Sequence, residues 1–402
     1  MQLFFPVTPF VKIEKLESQE YIEKLIYKRQ RAILMEIKLD NVHLISDLWG
    51  DLYLTKDKCY NIVNGRFYNG RILSADSLCC VITEIDYMII KEVYHFDFTL
   101  IQWYKASKGK LPRCIIDFII EQYRLKTELK GLSGDLNETL YMKSKNRLNG
   151  IYGLFATAPI REEIVYNKYD RDFHFKETDD IDELFEQSKS GYWLPYQFGI
   201  WTTALARYEL FKGIKTVTRP EASELTDFIY CDTDSVKYIG VVDWSEYNAE
   251  KIRLSTENGA FATDAKGKTH YMGVFEGEGV YNRFKSAGAK RYAYEQNGKL
   301  HVTIAGVEKK RGAQELADHG GLEALKDGFV FRDAGGLCAK YNDLPEVTEY
   351  KKDGYTIPIT ANLYLCKSEY TLGDMEIYKR ILSLSKIMFD KLYSKMYTIE
   401  DG

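Results

Sequence analysis

The amino-acid sequence predicts an α+β protein of several subdomains, built from antiparallel strands and long helices. Three observations support this fold class. Strand and turn patterns fill residues 30–100, helical patterns follow over 105–157, and strand–turn–strand patterns return at 228–238 and 281–311. A chain of 402 residues exceeds what one hydrophobic core usually holds, so about two to four subdomains are expected.

Composition excludes several classes of protein. Hydrophobic content of 45% and charged content of 28% are typical of a folded soluble chain, and no apolar run is long enough to predict a membrane span. A net charge of −4 means that nucleic-acid binding would need local basic surfaces. The seven cysteines contain no C-x-x-C pair, which argues against a zinc site or a disulfide framework and favours a reducing compartment such as the cytoplasm.

The first elements are strands. "AILMEIKLDNVHL" alternates in part between apolar and polar residues, "NGRFYNG" has the composition of a turn, and "LCCVITEIDYMIIKEVY" predicts a strand that runs into a helix.

Two consecutive helices are predicted next. Pro112 precedes "RCIIDFIIEQYRLKTELKG", in which apolar residues recur at helical spacing from Ile116 to Tyr123. A second helix should cover residues 138–156, and the short "GLSG" break between the two predicts an antiparallel helical hairpin. Lys and Arg outnumber Asp and Glu over 105–150, so this hairpin is locally basic.

The remaining segments alternate in character. Residues 158–190 are polar and acidic and predict an inserted hairpin, after which a buried helix begins beyond Pro195. Residues 281–311 are basic and predict a hairpin that turns at Asn297-Gly298. The periodic run "DMEIYKRILSLSKIMFDKLYSKM" predicts a helix near the C-terminus.

Paired acids in "FIYCDTDSVKY" form the first candidate site. In an extended chain Asp232 and Asp234 would point to the same side, where two carboxylates repel unless a cation lies between them or one is protonated. Hard divalent ions such as Mg²⁺ favour such an oxygen-rich arrangement. The alternative is a polar surface turn, and the spacing by itself leaves both interpretations open.

A helical stripe in "KNRLNGIYG" forms the second candidate site. Four residues lie near one face of a helix: Lys145, Asn149, Tyr152 and Gly153. Together they offer a cation, an amide, an aromatic ring and an open space, which could bind the phosphate, sugar and base of a nucleotide. The alternative is an amphipathic helix with a core tyrosine and a solvated lysine.

A basic strand in "AKRYAYE" forms the third. Lys290 and Tyr292 would share one strand face next to Arg291, which suits contact with a nucleic-acid backbone. The alternative is an edge strand protected by charge.

Taken in order, the three segments resemble the motifs of family B DNA polymerases. "KNRLNGIYG" is similar to the K-x-x-x-N-x-x-Y-G fingers motif, "YCDTDS" to the Y-x-D-T-D-S palm motif and "KRY" to the K-x-Y motif. Within that family the chain looks like the protein-primed replicative polymerases of phages and linear elements. The resemblance implies a right-hand polymerase architecture, with an antiparallel palm sheet, helical-hairpin fingers, two insertions and a small thumb.

The resemblance also implies a domain plan. Residues 1–104 would be a palm remnant with a first insertion like the terminal-protein region, and 105–157 would be the fingers. Residues 158–193 would be the second insertion, 194–311 the palm with the D-T-D hairpin and the K-x-Y strand, and 312–402 the thumb and C-terminal region.

The implied reaction is template-directed nucleotidyl transfer from a dNTP to a primer 3′-hydroxyl or a priming protein, with Mg²⁺, or alternatively Mn²⁺, as cofactor. The residues carried over by the motifs fall into three groups. They are Asp232 and Asp234 as catalytic metal ligands, with Asp234 the more direct; Lys145, Asn149, Tyr152 and Gly153, assisted by Lys126, for the nucleotide; and Lys290, Arg291, Tyr292, Tyr230 and Thr233 for the primer and DNA.

The sequence departs from the family pattern upstream. No Asp followed closely by S-L-Y-P precedes Lys145, and the acidic proofreading motifs are absent, so the chain resembles the C-terminal portion of a polymerase. The expected partners are primer-template DNA, dNTPs, an N-terminal fragment that carries the exonuclease domain and first palm Asp, and a terminal protein.

Two other functions remain. Reverse transcriptases and RNA-dependent polymerases share the palm chemistry, but their acids are usually adjacent, whereas Thr233 separates them here. A non-catalytic module that binds nucleic acid or terminal protein and keeps the motifs as remnants is the second.

Overall fold

A computed structural model shows two compact units, residues 1–276 and 277–402. The structure describes residues 4–45, 54–68, 70–157, 164–167, 172–175, 195–218, 227–352 and 355–372.

The first unit is built on a seven-stranded antiparallel sheet. Its central path runs β1–β7–β3–β6–β4, with β2 on β7 and β5 on β6. The strands are β1 Phe5–Pro6, β2 Val11–Lys12, β3 Arg31–Leu44, β4 Cys59–Val63, β5 Arg66–Tyr68, β6 Arg71–Thr83 and β7 Tyr94–Gly109. Along β3 the buried residues Ile33, Met35, Ile37 and Leu39 alternate with partly exposed ones, so one face of the sheet supplies the core.

Two helices cover that core. They are α1, Gln19–Lys28, and α2, Glu84–Val93. A Ser18 side chain caps α1 by accepting a hydrogen bond from the Tyr21 backbone N–H, and Thr83 forms a capping box with Asp86 at the start of α2. The strand-to-helix transition predicted in "LCCVITEIDYMIIKEVY" is confirmed at β6 and α2.

A buried carboxylate joins distant parts of this unit. Glu84 accepts hydrogen bonds from the backbone N–H of Ile33, at 2.9 Å, and from the indole Nε1 of Trp201, at 3.1 Å. It also lies 2.6 Å from the Lys108 ammonium nitrogen, whose side chain is only 11% exposed. This ion pair therefore satisfies a charge that would otherwise be costly to bury.

The predicted helical hairpin follows the sheet. Helix α3 spans Arg113–Leu129 and α4 spans Asp135–Phe155, which confirms both helices. The next long helix, α5, spans Tyr196–Val217 and begins after Pro195 as predicted. Phe155 packs edge-on against Phe198 at a ring-centroid distance of 5.6 Å, so the end of α4 is anchored on α5 in a second part of the core.

Short strands and one helix complete the first unit. They are β8 Ile164–Asn167, β9 Asp172–Phe175, β10 Asp227–Asp232, β11 Ser235–Ile239, α6 Ser245–Asn258, β12 Phe261–Thr263 and β13 Thr269–Tyr271. The pairs β8–β9, β10–β11 and β12–β13 are antiparallel hairpins. The first of them falls in the polar stretch predicted to be an insertion; the rest of that insertion lies outside the described residues.

The second unit packs a three-stranded sheet against a helix. Its elements are β14 Arg283–Ser286, β15 Arg291–Gln296, β16 Lys299–Ile304, α7 Lys309–Asp318, β17 Val330–Phe331, β18 Leu337–Lys352, β19 Tyr355–Lys367 and β20 Tyr370–Thr371. The sheet order is β14–β15–β16, and its buried residues Ala293 and Val302 pack with Leu316 of α7. Asn297 and Gly298 form the predicted turn, with φ of 52° and 71°.

Two sequence predictions remain, one on the C-terminal helix and one on membrane spans. The C-terminal helix predicted in "DMEIYKRILSLSKIMFDKLYSKM" lies outside the described residues. Within the described part of the chain, no helix is both long and apolar enough to cross a membrane.

Candidate active site

The paired carboxylates lie at the turn between β10 and β11. Asp232 ends β10 opposite Ser235, so Thr233 and Asp234 are the two turn residues. The Thr233 hydroxyl donates to Asp232 Oδ1 at 2.9 Å, and the Asp234 N–H donates to the Asp232 carbonyl at 2.5 Å. Asp232 is half-buried, whereas Asp234 is exposed.

The chain turns at Thr233, so it is not extended from Asp232 to Asp234 as the sequence analysis assumed. Thr233 has a φ of 48°, in the left-handed region that β-branched residues rarely adopt. Asp234 is therefore presented by the turn itself and not by strand alternation with Asp232. Such a conformation costs a residue other than glycine about 1–3 kcal/mol.

Helix α5 supports this hairpin through a close contact. A Cβ on Gly213 would lie 2.7 Å from Phe275 Cζ, which is too close, and 3.5 Å from Val236 Cγ2 of β11, an ordinary contact, so glycine leaves room for the Phe275 ring here. Phe275 is itself held against Trp244, at a ring-centroid distance of 4.7 Å, and against Tyr247, at 5.1 Å. The hairpin therefore rests on a packed aromatic cluster.

An ion pair holds α6 against α5. The Lys251 ammonium group, almost fully buried, lies 2.6 Å from Glu209 Oε2, which also accepts a hydrogen bond from the Tyr247 hydroxyl at 2.8 Å.

Tyr230 and the buried Lys237 face each other across the two strands of the hairpin. Tyr230 is half-buried.

Cations of the helical hairpin lie within electrostatic reach of the turn. Lys126, in the last turn of α3, has a pKa below the ordinary lysine value because of burial and then because of the positive charges of Lys130 and Lys145; the negative charge of Asp234 opposes this shift. Lys126 therefore lies within electrostatic range of Lys130 and Lys145 of the helical hairpin and of the exposed Asp234 carboxylate in the turn.

The predicted stripe on α4 is open to solvent. Lys145, Asn149, Tyr152 and Gly153 are all exposed, and Tyr152 has 39% of its surface accessible. Apart from its chain neighbours and the nearby backbone of α4 itself, no atom lies within 4 Å of where a Cβ on Gly153 would stand. Tyr152 is thus not the core tyrosine of the amphipathic alternative, since the core residue at this end of α4 is Phe155.

The basic strand belongs to the second unit. Arg291 and Tyr292 begin β15, but Lys290 precedes the strand with a φ of 53°, so strand alternation does not put Lys290 and Tyr292 on one face as expected. Tyr292 stands among aromatic side chains, 5.3 Å from the Phe284 ring and 6.3 Å from that of Tyr294.

Comparison with known proteins gives a structural likeness. No protein-family model and no curated protein sequence matches the chain. Among solved structures, the chain is similar to phi29 DNA polymerase in its ternary complex with primer-template DNA and incoming nucleotide, at 18% identity and a TM-score of 0.55. It is similar, at 16% identity, to the same polymerase bound to primer-template DNA, with a TM-score of 0.54, and bound to single-stranded DNA, with a TM-score of 0.51.

The chain has a polymerase-like fold. Each of these matches covers 92% of this chain. The chain in turn covers 55% of the ternary-complex polymerase and 54% of the other two, so it spans about half of their length. The likeness extends over both units.

The paired carboxylates of the turn are of a type that could hold Mg²⁺. Mg²⁺ commonly takes one or two protein carboxylates and completes its shell with water and substrate phosphate oxygens. Asp232 and Asp234 are the residues here that could hold such an ion. No group of three or more His, Cys, Asp or Glu side chains able to hold a metal occurs among the residues that the structure describes.

Sequence reasoning missed two residues of this site. Lys130 follows Lys126 at the helical spacing of four, a signal that could have found it. Gly213 carries no such signal, because its role depends on the approach of Phe275, which lies far along the chain.

Proposed function

We propose that the chain is the C-terminal part of a template-directed DNA polymerase that transfers a nucleotide from a dNTP to a primer 3′-hydroxyl or a priming protein. The proposal depends on one observation: Lys126 of the helical hairpin lies within electrostatic range both of Lys145 on the same hairpin and of Asp234 in the D-T-D turn. A dNTP carries a triphosphate, which needs cations, next to a reacting phosphorus that needs carboxylate-bound metal.

Each side chain then has a role that its position allows. The ammonium groups of Lys126 and Lys145 would bind the triphosphate. Its negative charge would oppose the repulsion that, after burial, lowers the pKa of Lys126. Asn149, Tyr152 and Gly153 would line the nascent base pair from the exposed face of α4, where Gly153 leaves an open surface.

The remaining residues would hold the metal and the DNA. Asp232 and Asp234 would bind Mg²⁺, with Mn²⁺ as the alternative ion. When bound, the metal supplies activation of the 3′-hydroxyl and neutralises phosphate charge. Tyr230 and Thr233 would contact the primer end beside the turn. Lys290, Arg291 and Tyr292 of the second unit would contact the primer backbone.

The domain plan read from the sequence belongs to this proposal, with 105–157 as fingers and 194–311 as palm. We further propose that a separate N-terminal fragment or a terminal protein completes the site. The left-handed turn at Thr233, which removes the two acids from a shared strand face, favours the second candidate function, a DNA-binding module without catalysis.

The two functions differ in their response to nucleotide. Fluorescence anisotropy of labelled primer-template DNA, with Mg²⁺ and each dNTP in turn, measures whether the templated nucleotide strengthens DNA binding. A polymerase site predicts tighter binding only with the complementary dNTP, and loss of that gain in Lys145→Ala and Asp234→Asn.

A matched control is Lys143→Ala, which removes an exposed lysine two residues away on the same helix. This variant should keep the nucleotide response. DNA binding that is indifferent to all four dNTPs would support the non-catalytic module. Primer extension that appears on adding an exonuclease-bearing fragment would support completion of the site in trans, whereas robust synthesis by the isolated chain would contradict it.

A further inference from the structure

A pair of histidines stands on the solvent face of the large sheet in the first unit, and the proposed reaction assigns no role to either residue. His43 of β3 and His95 of β7 are direct partners in the antiparallel register, and both are exposed. Their ring centroids are 5.1 Å apart with planes inclined by 38°.

A β-bulge in β3 sets the direction of the His43 side chain. The register of β3 against β7 shifts between Asp40 and His43, and Asn41 within the bulge has a φ of 54°. The Asn41 side chain donates to Asp97 Oδ2 at 2.6 Å, which fastens the bulge to β7 two residues from His95. A bulge held in this way fixes the direction of the side chain that follows it.

The tautomer of His43 follows from its backbone contact. His43 Nδ1 lies 2.9 Å from the carbonyl oxygen of Asn41. A carbonyl can only accept, so Nδ1 carries the proton and Nε2 of the neutral ring keeps its lone pair. This arrangement, in which one ring nitrogen donates to a carbonyl while the other is available, is the usual environment of a metal-binding histidine.

We propose that His43 and His95 form a binding site for a borderline divalent transition metal such as Zn²⁺ or Cu²⁺. Imidazole nitrogens bind these ions at about 2.0–2.1 Å, so two nitrogens on one tetrahedral ion stand roughly 3.3 Å apart. Rotation about the side-chain bonds of two rings already in contact on paired strands can reach this separation. Water completes the coordination shell, and the carboxylate of Asp97 adds negative charge nearby.

The site is distinct in chemistry from the D-T-D turn. Mg²⁺ prefers oxygen ligands, whereas imidazole suits Zn²⁺, Cu²⁺ and Ni²⁺. A metal bound by both rings would cross-link β3 to β7, and because it binds only the folded sheet it would stabilise the first unit.

Isothermal titration of the chelator-free full chain with ZnCl₂ tests the proposal, with His43→Gln and His95→Gln as the variants. Both positions are exposed, so the substitutions should leave the fold intact, which circular dichroism checks. We expect wild-type binding to weaken at least about tenfold in each variant, a change of about 1.4 kcal/mol.

Two other histidines serve as controls. His319 is exposed and makes the same kind of contact, with Nδ1 2.8 Å from the Glu315 carbonyl, and His270 lies between Asp264 and Glu276. His319→Gln and His270→Gln should bind Zn²⁺ like the wild type. Absence of wild-type binding, undiminished binding by either sheet variant, or displacement of Zn²⁺ by Mg²⁺ would overturn the proposal.

A spectroscopic readout separates the pair from scattered surface ligands. One equivalent of Cu²⁺ should give an electron paramagnetic resonance spectrum with two nitrogen ligands in the wild type, and with one fewer nitrogen in His95→Gln. A spectrum with oxygen ligands alone would overturn the assignment.

Discussion

At the scale of single residues, Lys126 is where the helical hairpin and the D-T-D turn influence each other. Burial and the charges of Lys130 and Lys145 lower its pKa, while Asp234 acts in the opposite direction. Removing a positive neighbour and removing a negative neighbour must therefore change this pKa with opposite signs.

The first prediction uses this opposition. Lys145→Met should raise the pKa of Lys126 and Asp234→Asn should lower it further. Reductive ¹³C-methylation followed by an NMR titration of the lysine signals measures both shifts. Lys143→Met is the matched control and should leave the Lys126 signal unchanged. Shifts of the same sign in the two variants would show that the turn and the helix do not share this environment.

The second prediction concerns the two glycines of α4. Gly150 and Gly153 both face open space, so replacing either by Ala should stabilise the helix by up to about 1 kcal/mol. Gly153→Ala should nevertheless abolish the preference of DNA binding for the complementary dNTP, because a methyl group would enter the surface offered to the base pair. Gly150→Ala should keep that preference, and equal behaviour of the two variants in anisotropy would contradict the assigned role of Gly153.

At the scale of elements, the position of the D-T-D hairpin depends on how closely α5 approaches it. The predicted effect of Gly213→Ala is a loss of about 1–2 kcal/mol in stability, because the new methyl group would meet a Phe275 ring that Trp244 and Tyr247 hold in place. Differential scanning calorimetry measures the loss. Gly150→Ala, at an open position, is the control. A Gly213→Ala variant as stable as the wild type would show that the aromatic cluster can shift to accommodate the added methyl group.

The fourth prediction compares a buried with an exposed ion pair. Glu84→Gln would leave Lys108, 11% exposed, without its counter-charge and should cost about 3–5 kcal/mol. Glu92→Gln breaks the Glu92–Lys215 pair, whose side chains are 40% and 47% exposed, and should cost at most about 1 kcal/mol. Urea unfolding of the two variants measures the contrast. Similar losses would mean that Glu84 contributes no more than a surface charge.

At the scale of the whole molecule, the sequence predicted elements better than it predicted where their side chains point. Apolar periodicity and Pro112 located α3, and Asn297-Gly298 located the β15–β16 turn. Strand alternation failed at Asp234 and Lys290, because the left-handed conformations of Thr233 and Lys290 itself turn the chain there. Thr and Lys do not favour the left-handed conformation, so the sequence carries no local signal that predicts it.

The proximity of Lys126 to Asp234 also lay beyond local patterns. It arises from the packing of the α3–α4 hairpin and the D-T-D hairpin, which lie about a hundred residues apart in the chain. The fold-level likeness to phi29 DNA polymerase is similarly visible in three dimensions at 18% identity, where no sequence model matches.

The buried Glu84 sets a condition on synthesis of the protein. Its indole partner, Trp201, is 117 residues further along the chain, so at roughly 5–20 residues per second the ribosome adds that tryptophan about 6–23 s after Glu84. Until then the nascent N-terminal sheet carries a carboxylate whose final surroundings do not yet exist. All seven strands end by Gly109, so the sheet can pair before α5 emerges, but Glu84 gains its indole partner only afterwards.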